Sequence, residues 1–179
     1  FGHDGERQLS AICHSLRIGG VHHNIQSVQF LDKVERKGRG WNLCLQVLDG
    51  ILCHDGEVHN QELTPMPHKV FSVHEAEIRT KKSGKPIRLV PMTLEGCVVR
   101  FADTVSYIGR DIEDAIRLDL IRREDLPPHV TRCLGNTNGT IVYTLVTDII
   151  ANSYNRPCIA FSDEVSDALA ALKQFNYER

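Results

Sequence analysis

The sequence has no strong charge of either sign: 21 lysines and arginines face 23 aspartates and glutamates, for a formal net charge of -2. That near balance excludes a global field of the kind that draws in nucleic acid or an anionic membrane surface, so an anionic ligand would need a local basic cluster. No apolar run approaches the ~20 residues of a membrane-spanning helix, and no signal-peptide pattern is present. A cytoplasmic location with no membrane partner is expected. There is no CxxC pair, no internal repeat and no low-complexity segment. The six cysteines, Cys13, Cys44, Cys53, Cys97, Cys133 and Cys158, stand singly in apolar surroundings, as buried reduced thiols do. The sequence also lacks an initiator methionine. It opens at a loop-to-helix junction and ends just after an amphipathic stretch, which suggests part of a longer protein, truncated at both ends.

What is present is ordinary globular material: 179 residues, 41% hydrophobic and 25% charged, enough for one sizeable core. A single helical domain over 1–179 is the expectation. Leu9, Ile12, Cys13 and Leu16 fall at i, i+3, i+4, i+7, a short helix stopped by Gly19-Gly20. Ile25, Val28, Phe30 and Leu31 mark a second helix from Asn24 to about Glu35. Leu43, Leu45, Val47, Leu48, Ile51 and Leu52 mark a third over Trp41 to His54. Residues 57–92, with four prolines and the basic run Arg79 to Lys85, read as an irregular connector containing a short helix near His68 to Arg79. The basic run is either a solvated loop or a segment that reaches a phosphate-bearing ligand. A long helix capped by Thr93 runs to about Leu118. A turn is expected at Arg123 to Leu126, and helical spacing of Leu145 and Ile149 competes with strand-favouring residues from Ile141 to Val146. Ser162-Asp163-Glu164 caps a last helix. The fold class is all-α.

Three places carry residues suited to chemistry. Phe1-Gly2-His3-Asp4-Gly5-Glu6 puts His3 and Glu6 one turn apart, either a proton-transfer pair or N-terminal helix carboxylates beside a loop histidine. His22-His23-Asn24 precedes the second helix; at most one of the two histidines is expected to face a given site, and Asn24 has an ordinary alternative as a helix cap. In the long helix Asp103, Tyr107 and Asp111 form a polar stripe on an apolar background. Asp103 there needs a cation, a metal or several donors, and Arg100 is one such cation. His54 and His59 flank Asp55-Gly56-Glu57 but fit no strong zinc pattern.

Taken together, Phe1 to Glu6, His23-Asn24-Ile25-Gln26-Ser27, Trp41-Asn42-Leu43, Leu48-Asp49-Gly50-Ile51, Leu94 to Asp103, Val105-Ser106-Tyr107 and Asp111 to Ala115 resemble the HD-domain deoxynucleoside triphosphate triphosphohydrolases, the dGTPase-like family. The motifs occur in the right order over essentially the whole sequence. The resemblance implies an all-helical HD phosphohydrolase core that hydrolyses a dNTP, dGTP among them, to the deoxynucleoside and triphosphate with a divalent metal such as Mg²⁺ or Mn²⁺. It implies His3 and Glu6 as an acid/base pair, His23 beside the triphosphate, and Asp103 as a metal ligand. Tyr107 would touch a phosphate, Asp111 would accept the sugar 3′-hydroxyl, and Asn24 and Gln26 would lie on the substrate side. Homo-oligomers and, in some members, a nucleotide effector are implied as partners.

The departures are specific. The family's metal-binding His-Asp dyad and its first metal histidine lie upstream of the position of Phe1, leaving Asp103 as the one matching ligand and the isolated chain without a complete site. Arg110 stands where a histidine often precedes the aspartate, and Ile141 where an arginine is common. A non-catalytic nucleotide-binding regulatory module and another HD-type phosphohydrolase are the alternatives.

Overall fold

The structure, a computed structural model, describes residues 2–55 and 59–178, with His3 described by its backbone alone. It is all-α apart from one pair of two-residue strands. The chain groups into two compact units, one built from the residues up to Asp55 with Met66–Gly96, the other from the residues up to Pro65 with those from Cys97 onward.

The first unit opens with α1 (Gly2–Ser15) and α2 (His23–Gln29). A π-helical turn at Phe30–Val34 follows, then α3 (Glu35–Gly38), in which Arg36 and Lys37 have φ of 53° and 62°. Gly40 closes this corner with φ +64°, and a Cβ there would fall 1.8 Å from the carbonyl oxygen of Asp32. Only glycine fits so near another backbone. The next helix, α4 (Leu45–Leu52), is shorter than its apolar pattern suggests. Asn42 is left-handed at φ 51°, and Cys44 is extended, so Trp41 to Cys44 cannot join it. Ile25, Val28, Leu48, Leu52, Cys53 and Leu89 form the buried core of this unit.

The residues that precede α5 (Phe71–Lys82) explain why that helix starts three residues later than its sequence pattern. Lys69 is drawn inward, its side chain fully buried, and its ammonium donates to Asp49 Oδ1 at 2.7 Å and to Glu77. Val70 is consequently extended at φ -122° and ψ 165°. Asp49 itself is 0% exposed, and its second oxygen accepts the Met92 backbone N–H at 2.7 Å. A buried carboxylate is tolerable only when its lone pairs are met in this way. Burial alone would push the Lys69 ammonium pKa down; the Asp49 and Glu77 carboxylates and the nearby Cys53 reverse that and push it up.

The second unit is built on α6 (Leu94–Arg117), which enters it at Cys97. Thr93 caps the helix, its hydroxyl accepting the Gly96 N–H at 3.1 Å. Cys97, Phe101, Val105, Ile108 and Ile112 line one stripe at i+4 and i+3 steps and are buried, whereas Leu94, Val98 and Ala102 lie on the exposed side. After a 3₁₀ turn at Arg123–Asp125 comes α7 (Pro128–Leu134), absent from the sequence expectation although Val130 and Leu134 repeat at i, i+4 behind a proline suited to a helix start. The region of mixed propensity is helical: α8 (Asn138–Ser153), begun by Thr137, whose hydroxyl accepts the Thr140 N–H. Ile141, in place of the arginine common in the family resemblance, is fully buried in this core with Leu145. Gly109 on α6 lets Asn138 approach closely, since a Cβ there would sit 3.0 Å from the Asn138 Cα. The strands β1 (Glu62–Leu63) and β2 (Ile159–Ala160) pair antiparallel, and α9 (Asp163–Glu178) completes the unit.

The thiols are less uniformly buried than expected. None of the six is disulfide-bonded, but Cys44 is exposed and Cys13 and Cys133 are half-buried.

Replacing Lys69 by methionine strands Asp49 without its cation, and breaking a buried pair this way costs about 3–5 kcal/mol. Urea denaturation of Lys69→Met is expected to show a loss of that order. The double variant Lys69→Met/Asp49→Leu recovers only part of it, because the Met92 N–H then loses its acceptor.

Candidate functional site

The loop between α1 and α2 folds back so that residues 17 apart in sequence meet. Gly19 turns at φ +90°. Ser10 on α1 then grips the returning loop twice, its hydroxyl donating to the Val21 carbonyl and accepting the Val21 N–H, both at 2.8 Å. This register brings His23, the first residue of α2, against Glu6 of α1. One oxygen of Glu6, Oε2, accepts both the His23 backbone N–H at 2.8 Å and the ring Nδ1–H at 2.6 Å. A carboxylate on Nδ1 fixes the tautomer and makes Nε2 the position that exchanges protons.

The other oxygen of Glu6, Oε1, lies 3.7 Å from Nδ1 of His22. Both members of the adjacent histidine pair therefore flank one carboxylate, where one at most was expected. His22 has extended backbone (φ -135°, ψ 114°) and His23 begins the helix, so the two rings leave the chain in different directions and reach different oxygens. Burial pushes the Glu6 pKa up, but the two hydrogen bonds from His23 and the charges of His23 and His22 outweigh it and hold the carboxyl below its ordinary value. Burial and then the charge of Lys81 push the His22 pKa down, with Glu6 opposing. Lys81, from the basic run, lies in the last turn of α5 and pairs with Asp55 at 3.2 Å.

Glu6 and His23 open onto a cleft of about 620 Å³, walled by Leu9, Ile12 and Val21. His54, just after α4, turns its ring edge-on to His23 with centroids 5.0 Å apart. Sequence reasoning placed Glu6 with His3, whose side chain lies outside the described residues, and passed over His22 and His54 as partners in this site. The doubled histidine was the available signal for His22; nothing local in sequence pairs His54 with His23.

The other residues from the sequence reading are placed as follows. Asn24 is fully buried: its amide donates to the Leu52 carbonyl of α4 at 2.7 Å and its oxygen accepts the Ile25 N–H at 3.0 Å. His22, not Asn24, occupies the cap position of α2. Gln26 is exposed on α2. Asp103, Tyr107 and Asp111 lie on α6 within the second unit, half-buried, half-buried and exposed respectively. Partial desolvation and then the charge of Asp114 push the Asp111 pKa up. Glu113, beside it, is structural: it receives both Arg123 guanidinium nitrogens, at 2.7 and 3.1 Å, and the Asn138 N–H at 3.1 Å. Hydrogen bonding from Arg123 is the main reason its pKa is held down. His59 in the second unit bonds Ser166 at 2.8 Å, and His54 in the first bonds the Ile51 carbonyl at 2.6 Å.

Among the described residues the one group of three metal-ligand side chains is Asp49, His74 and Glu77. Its cation is already there: the Lys69 ammonium lies 2.7 Å from Asp49 and 2.9 Å from Glu77. No such group includes Asp103, so the described residues do not by themselves fit a catalytic divalent ion. No helix among them is long and apolar enough to cross a membrane.

No family model matches the sequence. Curated proteins do. It is 34% identical over 179 residues, 100% of this chain and 42% of the relative, to a deoxyguanosinetriphosphate triphosphohydrolase-like protein of Caldanaerobacter subterraneus subsp. tengcongensis. Identity is 34% over 183 residues, 99% of this chain and 44% of the relative, to the like-named protein of Clostridium perfringens. It is 32% over 180 residues, 99% and 44%, to that of Desulfatibacillum aliphaticivorans. The similarity extends over the whole chain, which spans less than half the length of these relatives.

Acid should weaken the fold in two steps. Burial lowers the pKa of His22, His59 and His74 below the ordinary histidine value near 6.5. Between the two values the unfolded chain binds more protons, so stability is full above about pH 6.5 and falls as pH drops below it. Glu6 and Glu113, held below the ordinary carboxylate range, lose their contribution at lower pH still, as they protonate. The urea midpoint is expected to fall from pH 7.5 to 5.5. His74→Leu, which removes a buried ring whose nitrogens have no hydrogen-bond partner, should flatten that slope; an unchanged slope would remove His74 from the account.

Proposed function

We propose that this chain carries part of the active site of a dNTP triphosphohydrolase, with dGTP among its substrates. The observation that carries the reading is Glu6 Oε2 holding both the backbone and the ring of His23 at the edge of a cleft. The relatives are named triphosphohydrolase-like, and that is chemistry to which such a pair is suited.

In the proposed reaction water attacks the α-phosphorus and the bond from phosphorus to the sugar O5′ breaks. The products are the deoxynucleoside and triphosphate. Glu6 accepts the Nδ1–H of His23 as a hydrogen bond, so Nε2 is free to take the proton that the attacking water loses and to return it to the departing O5′. The same carboxylate stabilises the imidazolium form when it arises. His3 shares acid/base work by resemblance. On α6, Tyr107 touches a phosphate and Asp111 takes the 3′-hydroxyl, while Gln26 contacts substrate from α2. Asn24 contributes from inside, tying the start of α2 to α4 through Leu52. A divalent metal would act as a Lewis acid on the phosphate. Asp103 is its one matching ligand in this sequence. Homo-oligomerisation and a nucleotide effector belong to the same reading, as does action in the cytoplasm.

A second reading, a nucleotide-binding regulatory module without turnover, draws on that single matching ligand. Full-length protein containing this chain, incubated with each dNTP and Mg²⁺ or Mn²⁺, is expected to release triphosphate. Release of pyrophosphate, or nucleotide binding with no product, would reject the hydrolase reading. Glu6→Gln and His23→Ala are each expected to lower kcat about 10²- to 10⁴-fold, the range for loss of a general acid or base.

A further inference from the structure

We infer that His54 is a positioning residue for His23, holding the imidazole in the orientation in which Glu6 fixes its protonation; this rests on the hydrolase reading above. One carboxylate oxygen of Glu6 binds the ring of His23 at Nδ1 and its backbone at N–H. The ring bond sets the tautomer, but histidine χ2 has a broad, shallow torsional well. Hinging about the Glu6 contact at Nδ1 would swing Nε2, which lies across the ring from it. Among the contacts that limit that motion is one made ring against ring.

His54 supplies it. Its ring meets that of His23 at 79° between planes and 5.0 Å between centroids, an edge-to-face arrangement favoured by aromatic quadrupoles. The brace is itself fixed on its own side. His54 Nδ1–H donates to the Ile51 carbonyl at 2.6 Å, meeting an acceptor at the end of α4. The next residue, Asp55, is held by the Lys81 ammonium from the last turn of α5 at 3.2 Å. The ring that steadies His23 is thus anchored to two helices, and α4 in turn is tied to α2 by the bond from Asn24 to Leu52. His54 acts through His23, since its own Nδ1 is committed to the helix end and its ring presents packing to its neighbour.

The test uses the full-length protein with His54→Ala and His54→Phe, steady-state kinetics on a dNTP, and imidazole ¹⁵N spectra. Misplacing a catalytic group by about 1 Å costs up to about 10²-fold. His54→Ala is therefore expected to lower kcat about 10- to 100-fold, with KM within about threefold of wild type because substrate binding is not the step affected. His54→Phe gives up the bond to Ile51 but keeps an aromatic ring packed against His23, and should recover most of the loss. The spectra should show His23 as one Nδ1-protonated species in wild type and His54→Phe, and as exchanging forms in His54→Ala. Wild-type kcat and an unchanged His23 spectrum in His54→Ala would overturn the proposal. So would a His54→Phe protein as slow as His54→Ala, which would make a nitrogen of His54, rather than its ring, the active element. A wild-type protein with no turnover rejects the hydrolase reading alone, and the spectra then decide the positioning role.

Discussion

The first unit is organised around one buried carboxylate. Asp49 lies wholly out of solvent on α4, with Lys69 on one oxygen and the Met92 backbone N–H on the other. Those two partners come from the start and the end of the segment that contains α5, so a single side chain gathers three stretches of chain. A buried ion pair is seldom a large net source of stability, but leaving either partner alone is expensive. Its value here is one of register: the ladder from Asp49 through α4 to Leu52, and from Leu52 to Asn24, places the first turn of α2. The irregular segment that looks like a connector in sequence is pinned at both ends.

The candidate site inherits that placement. His23 is the first residue of α2, Asn24 ties it to α4, and Ser10 ties the preceding loop to α1. The Glu6 carboxylate and the His23 imidazole are therefore placed by main-chain contacts and by buried and part-buried polar ones. Their hydrogen bond can stay short without the pair itself having to supply the order.

How much of this was legible in sequence depended on whether the cause was local. The stripe Cys97, Phe101, Val105, Ile108 and Ile112 declares both the helix and its buried face, and Thr93 declares where it begins. Resemblance drew attention to Glu6 and His23 and to their likeness to triphosphohydrolase-like proteins. What failed had non-local causes. Trp41 to Cys44 carry apolar residues at helical spacing, yet a left-handed Asn42 keeps them out of α4. Val70 is extended because Lys69 is needed 20 residues away. Glu6 and His23 were each singled out, but their mutual bond depends on a loop return that no periodicity encodes. The short α7 was visible in Val130 and Leu134 but was overlooked behind two prolines.

The two units differ in how they are held. The second has a large continuous apolar core along α6, α7, α8 and α9, whereas the first has a small one supplemented by buried polar bonds. Apolar cores set the level of the most protected amides, and regions with fewer such contacts open at lower free energy. The residues proposed for proton transfer thus sit in the part of the chain that breathes more readily. A substrate that bridges Glu6, His23 and the cleft wall would contribute its own binding energy to closing that part, so order in the first unit becomes a property shared with the ligand.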